Sequence, residues 1–408
     1  MKKIYTSLIL PFALYGQTLQ VLVDNALENQ LVESSIYNIE SIKKEYESTK
    51  SNYLPKVTIG SSYTNTNEET ASTADSSIVS YANINYIVYD GGAKNARYDS
   101  YESSIKSSTE SLSSLKNSIA LQVVNYYFNY QSLNAQKEAK QKEIETLNAQ
   151  KKRLQSFLEA GTTTGDEVYK IISRVEIANV ALHEIELNIQ IILHNLRYLT
   201  SKDVTITNGS LIKDDLPNDE SSRADIKALE FQMDSLLKSV RVVKSSNYPI
   251  VTLENSFNHY NMDYDNSAYD SNLDTQNIFK VNFSWKIFDF GSTSKAAQSV
   301  YSQYQGLKSH YDYEKNKANV DLQLSLKSYD IAKLKINSAK AGLNAANSTY
   351  ETIEAKYQNG LVENVAYLEA LSEKYDAISA LKSAEFDLEI KKADIIYHSG
   401  KDIWEYIK

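Results

Sequence analysis

Residues 82–92 read Ala-Asn-Ile-Asn-Tyr-Ile-Val-Tyr-Asp-Gly-Gly, and residues 279–291 read Phe-Lys-Val-Asn-Phe-Ser-Trp-Lys-Ile-Phe-Asp-Phe-Gly. Both alternate apolar and polar side chains, and both end on an Asp-x-Gly turn. In the second, Phe279, Val281, Phe283, Trp285 and Ile287 share one face, and Lys280, Asn282, Ser284 and Lys286 share the other. In the first, Ala82, Ile84, Tyr86 and Val88 oppose Asn83 and Asn85. A period of two marks a strand with one apolar and one polar side. Val57-Ile59-Ser61-Tyr63 and Val251-Leu253-Asn255-Phe257 repeat the pattern more weakly. The expected strands are about 56–66, 79–89, 250–260 and 277–288. Such strands suit a membrane barrel with a wet lumen. A soluble two-layer sheet gives the same alternation, so both readings stand at this point.

Outward from each turn the period changes. Tyr98, Tyr101, Ile105, Leu112, Leu115 and Ile119 follow a three-four spacing, and the stripe then moves to Val123, Tyr126, Tyr130 and Leu133. That drift is what a coiled pair of helices absorbs. Proline, which breaks helix interiors, occurs only at Pro11, Pro55, Pro217 and Pro249. Helices are therefore expected over about 93–159, 164–199, 292–358 and 363–397. The first would be roughly 100 Å long at 1.5 Å per residue. The expected class is α+β and mostly α.

The chain repeats itself. Gly92 to Gly291 and Gly161 to Gly360 are both offsets of 199 residues. Asn52-Tyr53-Leu54-Pro55 is echoed by Asn247-Tyr248-Pro249. The expected organisation is a leader over 1–16, a first repeat over 17–222 and a second over 223–408. Lys2 and Lys3 before the apolar stretch Ile4–Tyr15, with Gly16 at the cut, carry the leader expectation.

Composition excludes several classes. A net charge of −9 without a basic stripe argues against nucleic acid as a partner. Cysteine is absent, which suits an envelope protein and leaves no lipid-anchored cysteine. No run after the leader reaches the length of a membrane-spanning helix. Any membrane entry must then be by strands, and four strands cannot close a barrel that needs at least eight. Thirty-one tyrosines suit helices packed on one side and wetted on the other.

With these features in order, the chain resembles the TolC family of outer-membrane efflux proteins. The resemblance rests on Tyr53-Leu54-Pro55, Asp90-Gly91-Gly92, Asp289-Phe290-Gly291 and Arg223-Ala224-Asp225-Ile226. It implies a homotrimer whose four strands per subunit close one barrel, continued through the periplasm by the long helices. Segments 17–30, 200–222 and 395–408 would form an equatorial girdle. The implied partners are a periplasmic adaptor protein, an inner-membrane transporter and outer-membrane lipid, in a Gram-negative cell. No cofactor and no metal are implied, and drug efflux, metal efflux and protein secretion by the type I route all use such ducts.

The resemblance also assigns sites. Gly161, Thr162, Gly360 and Leu361 match the tips that dock the adaptor, although glycine there is also an ordinary helix stop. Asp166, Glu167, Glu363 and Glu369 fall where acidic side chains gate the periplasmic aperture, although acids also favour helix N-termini. Val362 stands where the family's gating arginine would be, and Ala366 replaces one acidic position. Asp90, Gly91, Gly92, Asp289 and Gly291 are expected to build the strand-to-helix turns. Phe279, Val281, Phe283, Trp285 and Ile287 are expected to face lipid.

Other motifs carry less. Asp289-Phe290-Gly291 resembles a kinase fragment, but no phosphate loop accompanies it. His183 and His194 share a helical face, but no carboxylate stands at ligand spacing and position 187 is leucine, so surface roles are expected. Glu68, Glu69, Asp75, Asp263, Asp265, Asp270 and Asp274 crowd two polar loops, either as solvated turns or as cation bridges to lipopolysaccharide. No constellation of nucleophile, base and metal ligand supports an enzyme. A structural coiled-coil envelope protein is the remaining alternative, and it would not require the strands.

Overall fold

The computed structural model describes residues 16–217, 223–266, 268–269 and 273–408. The leader, apart from Gly16, lies outside the described residues, as does Asp270. The chain is mostly helical and carries one four-stranded antiparallel sheet. Helices α1 (Leu19–Ala26) and α2 (Gln30–Asn52) lead to strands β1 (Lys56–Asn65) and β2 (Ser76–Asp90). Helices α3 (Ala93–Glu159) and α4 (Gly165–Thr200) follow. The second half repeats the order with α5 (Ala224–Lys244), β3 (Ile250–Asp263), β4 (Thr275–Ser284), α6 (Ser292–Gln358) and α7 (Asn364–His398). Two compact units take segments from both halves: 1–34, 112–224 and 315–408 in one, 35–111 and 225–314 in the other.

The second of these units holds the sheet, in the order β1-β2-β3-β4. Directly opposed residues of antiparallel strands point to the same face. The pairing Val57↔Ile84, Ile84↔Asn255 and Asn255↔Phe279 therefore collects the odd residues of β1, β3 and β4 with the even residues of β2. All four alternations thus place their apolar side chains on one face. Among the described residues neither β1 nor β4 has a partner on its outer edge.

Two details differ from the expected strands. The ladder between β2 and β3 shifts between Ile87 and Tyr89, so Val88 is the extra residue of a bulge rather than a member of the alternation. Strand β4 ends at Ser284, so Trp285 and Ile287 lie past the ladder. Ser284 pairs with Ile250, the first residue of β3, and the residue before it is Pro249. Proline has no N–H to offer, so the ladder stops where its donor does.

Helices α2 and α5 flank the start of α3 in this unit. Ser100 and Ser235 hydroxyls meet at 2.9 Å, the Ser103 hydroxyl donates to Asp234 at 2.6 Å, and the Ser107 hydroxyl donates to the Ala228 carbonyl at 2.7 Å. Serines at a three-four spacing let two backbones approach closely while each hydroxyl finds a partner. On the other flank the Tyr46 ring lies 5.7 Å from Tyr98 and 5.8 Å from Tyr101.

The other unit has two cores along its helices. The first centres on fully buried Tyr127 and Phe128, whose rings meet edge-on at 5.1 Å. Helix α1, Ile212 and Ile403 join this core, so the N-terminal, central and C-terminal segments pack together. Bridges Gln17↔Ile206 and Ile212↔Ile407 tie them, and the Asn117 amide donates to the Lys401 carbonyl and accepts from Ile403 N–H. The second core packs α3, α4, α6 and α7 around Leu147, Ile171, Tyr367 and Leu371.

Candidate functional site

Among the described residues nothing is laid over the apolar face of the sheet. Ile59 is 81% exposed, and Val57, Phe279, Val281 and Phe283 are each between 61% and 66% exposed. A soluble two-layer sheet would cover this face, because burying each such side chain is worth about 1.5–3 kcal/mol. The opposite face carries Thr58, Asn83, Asn85, Glu254, Ser256, Lys280 and Asn282. Past the ladder, Trp285, Ile287, Phe288 and Phe290 are all exposed, and Trp285 Nε1 donates to the Asn247 carbonyl at 3.0 Å. Aromatic side chains at the end of an apolar band suit a lipid–water boundary. Among the described residues no helix is long and apolar enough to cross a membrane, which leaves the strands.

At both strand-to-helix turns an aspartate receives the free N–H groups of the helix start. Asp90 Oδ2 accepts from Lys94 N–H at 2.7 Å and from the Tyr53 hydroxyl at 3.0 Å. Burial and this hydrogen bond push the Tyr53 phenol up to about 12. Asp289 accepts from Gly291 N–H, Thr293 N–H and the Thr293 hydroxyl at 3.0, 3.0 and 2.6 Å. The Thr293 hydroxyl above all, helped by Thr293 N–H and Lys286, brings the Asp289 carboxyl down to about 2. Gly91, Gly92 and Gly291 have φ of 72°, 85° and 78°. Phe290, the counterpart of Gly91, also takes a left-handed φ of 53°. Only Gly91 is sterically closed, since a Cβ there would strike the Ser245 carbonyl and Tyr248.

The two tips share one hydrogen-bond pattern. Thr162 N–H reaches the Phe157 carbonyl at 2.8 Å and Gly161 N–H the Leu158 carbonyl at 3.0 Å. Leu361 N–H and Gly360 N–H do the same to Lys356 and Tyr357, at 2.9 and 3.0 Å. This is the glycine-terminated helix end that satisfies its own last carbonyls. It leaves Leu361 and Tyr169 exposed, each at 73%.

Of the acidic positions, Asp166 and Glu369 line one groove of about 550 Å³ with Tyr169, Lys170, Arg174 and Leu368. Lys170 pairs with Asp166 at 3.3 Å and with Glu167 at 3.2 Å. Hydrogen bonds from Thr164 and Lys170 hold the Asp166 carboxyl below its usual range. Glu363 occupies the N-cap position of α7 without a side-chain capping bond, and Glu369 points outward from the same helix. The structure adds residues that the sequence reading passed over. Tyr357 stacks on Tyr367 at 4.9 Å and receives a 2.6 Å hydrogen bond from Gln150, and Tyr350 packs 6.0 Å from Tyr367. Asn364 is 4% exposed, and neither of its polar side-chain atoms has a partner.

The remaining motifs resolve locally. His183 pairs with Glu186 on its own helix at 3.2 Å, and among the described residues no group could hold a metal ion. The Glu69 carboxylate accepts from Asp265 and Asn266 N–H at 2.9 and 2.8 Å, so one polar loop is stitched to the other.

A one-layer sheet with a bare apolar face, in a chain that is otherwise mostly long helices, fits a channel of the outer membrane. Solved structures agree on the fold. The Campylobacter jejuni CmeC outer membrane channel superposes with a TM-score of 0.84 at 18% identity, over 94% of this chain and 85% of that one. The Vibrio cholerae outer membrane protein VceC gives 0.81 at 16% identity, over 94% and 96%. A membrane protein from Pseudomonas aeruginosa gives 0.84 at 16% identity, over 94% and 93%. No curated protein matches the sequence. The profile of the outer membrane efflux protein family matches residues 22–201 and 218–396, so the chain belongs to that family. It is a channel of the outer membrane that extends into the periplasm, and not an enzyme.

Proposed function

We propose that three copies of the chain assemble a passive export duct, in which each contributes four strands to one closed barrel. The carrying observation is the bare apolar face of a sheet whose two edges are both without a partner among the described residues. In hydrocarbon each unpaired backbone group on those edges would cost several kcal/mol, and only closure removes them. Four strands are too few, and three copies supply twelve, within the range of known barrels. In this reading 17–222 and 223–408 act as two repeats, each giving one hairpin of the wall and one coiled pair of the tunnel.

Gly161-Thr162 and Gly360-Leu361 present two exposed, self-satisfied tips to a periplasmic adaptor, which couples the duct to an inner-membrane transporter. Asp166, Glu167, Glu363 and Glu369 set the charge of the aperture, where three-fold symmetry multiplies each carboxylate. Because Lys170 already neutralises much of Asp166 and Glu167, the outward-facing Glu369 carries most of the cation preference.

The chain contains no cysteine, so introduced thiols report without background. Ser61→Cys with Phe279→Cys places one thiol on each edge strand, for a bifunctional maleimide in isolated membranes. A covalent trimer with no larger species is expected. Monomers alone, or an open ladder of larger species, would contradict closure by three copies.

A further inference from the structure

The polar face of the sheet carries one charged row. Lys56 opposes Asn85, Asn85 opposes Glu254, and Glu254 opposes Lys280, so a single line of directly paired residues crosses all four strands. The rows beside it are uncharged: Thr58–Asn83–Ser256–Ile278 on one side and Ile87–Thr252–Asn282 on the other. The row therefore holds two ammonium groups and one carboxylate per chain, a net charge of one positive. Lys56 and Lys280 stand at its two ends, on the edge strands.

One end of the row, Lys56, also lines a cavity. Where the strands pass into helices, Lys56, Arg97, Asn52, Ser245 and Ser246 line a space of about 560 Å³. Ile87 and Ile250, both from the polar-face side of the sheet, form part of its floor. Asp90 also borders it, but its carboxylate is taken up by Tyr53 and the N–H of Lys94. Among the described residues Lys56, Arg97 and Lys280 have no carboxylate within ion-pairing distance. The Ser245 hydroxyl is spent on the Val242 carbonyl at 2.6 Å, so two unpaired cations, the Asn52 and Ser246 side chains and an apolar floor form the donor set that suits an anion with an organic body.

We infer that this cavity, together with the Lys56–Asn85–Glu254–Lys280 row, is a station in the duct wall that binds organic and inorganic anions in transit. The inference rests on the reading that the polar face is the lumen. When three copies close the wall, β4 of one copy lies beside β1 of the next. Lys280 and Lys56 then occupy neighbouring strands at each seam. Their repulsion favours an anion between them, while Glu254 keeps the site weak enough for release. A site in a pore must bind solute and also let it go. The outer part of the duct thus prefers anions, independently of the acidic aperture.

The test uses the purified full-length trimer in planar bilayers, with hexacyanoferrate(II) as the probe, added on the side of the β1–β2 and β3–β4 loops. The expected result is a concentration-dependent block of the potassium chloride current. In Lys56→Gln/Arg97→Gln and in Lys280→Gln the half-blocking concentration should rise about tenfold, the scale on which charged clefts concentrate ions. Glu254→Gln should lower it. The opposite shifts guard against a general loss of folding, which would weaken block in every variant. A conducting trimer that hexacyanoferrate does not block, or that all three variants leave equally blocked, overturns the anion station while the duct stands. A protein that forms no conducting trimer overturns the duct, and the station with it.

Discussion

Gly91 and Phe290 occupy equivalent turns and show how a single residue is set by its neighbours. Both adopt left-handed backbone, yet only Gly91 sits against the Ser245 carbonyl, so only there does the space exclude a Cβ. Gly91→Ala is expected to destabilise the protein by about 1–3 kcal/mol. Gly92→Ala, with open space around it, should cost only about 1 kcal/mol. Thermal unfolding of the two variants in detergent, side by side, checks the difference. Asp289 makes a pH prediction. Its folded carboxyl titrates at about 2, below the ordinary 3.8, so the unfolded chain binds its proton first as pH falls. The stability it contributes is present above about 3.8 and is lost between that value and about 2. Asp289→Asn should flatten the melting temperature against pH in that window, and an unchanged slope would place the acid sensitivity elsewhere. The capping role of these aspartates was legible from Asp-x-Gly alone. Tyr53 as a partner of Asp90 was not, since the two are joined only when α2 folds beside α3.

Elements show where periodicity informs and where it stops. The alternation in 279–287 continues past the real end of β4, because side-chain pattern carries no information about whether a backbone partner exists. Pro249, thirty-five residues earlier than Ser284, decides that end. Val88 fits the alternation equally well and is a bulge. The long helices were readable because proline is missing from them and glycine marks their tips. Helix-to-helix chemistry was less so: Tyr350, Tyr357 and Tyr367, packed together, belong to two helices, and only the spacing of seven between the first two hinted at a shared face. The buried pair of Lys392 and Glu389, met from the surface by exposed Asp214, left no signature at all. Lys392 is 5% exposed, donates to Glu389 at 2.7 Å and to Asp214 at 2.6 Å, and Glu389 also accepts from Ile212 N–H at 2.7 Å. Burial alone would lower the Lys392 ammonium, but its two carboxylate partners raise it above the usual lysine value. Lys392→Ala leaves Glu389 buried and uncompensated, and should cost about 3–5 kcal/mol. Lys392→Met with Glu389→Leu should cost much less. Denaturant unfolding of both variants separates a broken pair from a replaced one.

The whole molecule is defined by what its sheet lacks among the described residues: a covering layer on one face and partners on both edges. Those absences follow from three-dimensional arrangement, so the sequence left membrane barrel and soluble sandwich open until the bare face was seen. Gate and docking assignments rest on position after the tips, and their tests belong to the assembled duct. Gly360 has φ of 72°, which proline cannot adopt. Gly360→Pro should abolish capture of the adaptor while detergent-resistant trimers persist, and retained capture would remove the docking assignment. Glu369→Gln should reduce cation preference, read as the reversal potential in a salt gradient, whereas an unchanged potential would move the gate to other carboxylates. The central claim is that the sheet is part of a closed, water-filled barrel. Single-channel recording from the detergent-extracted, sized oligomer tests it most directly. A trimer that inserts into a planar bilayer and conducts ions in discrete steps is the predicted result. A species of another size that leaves the bilayer silent would contradict the account.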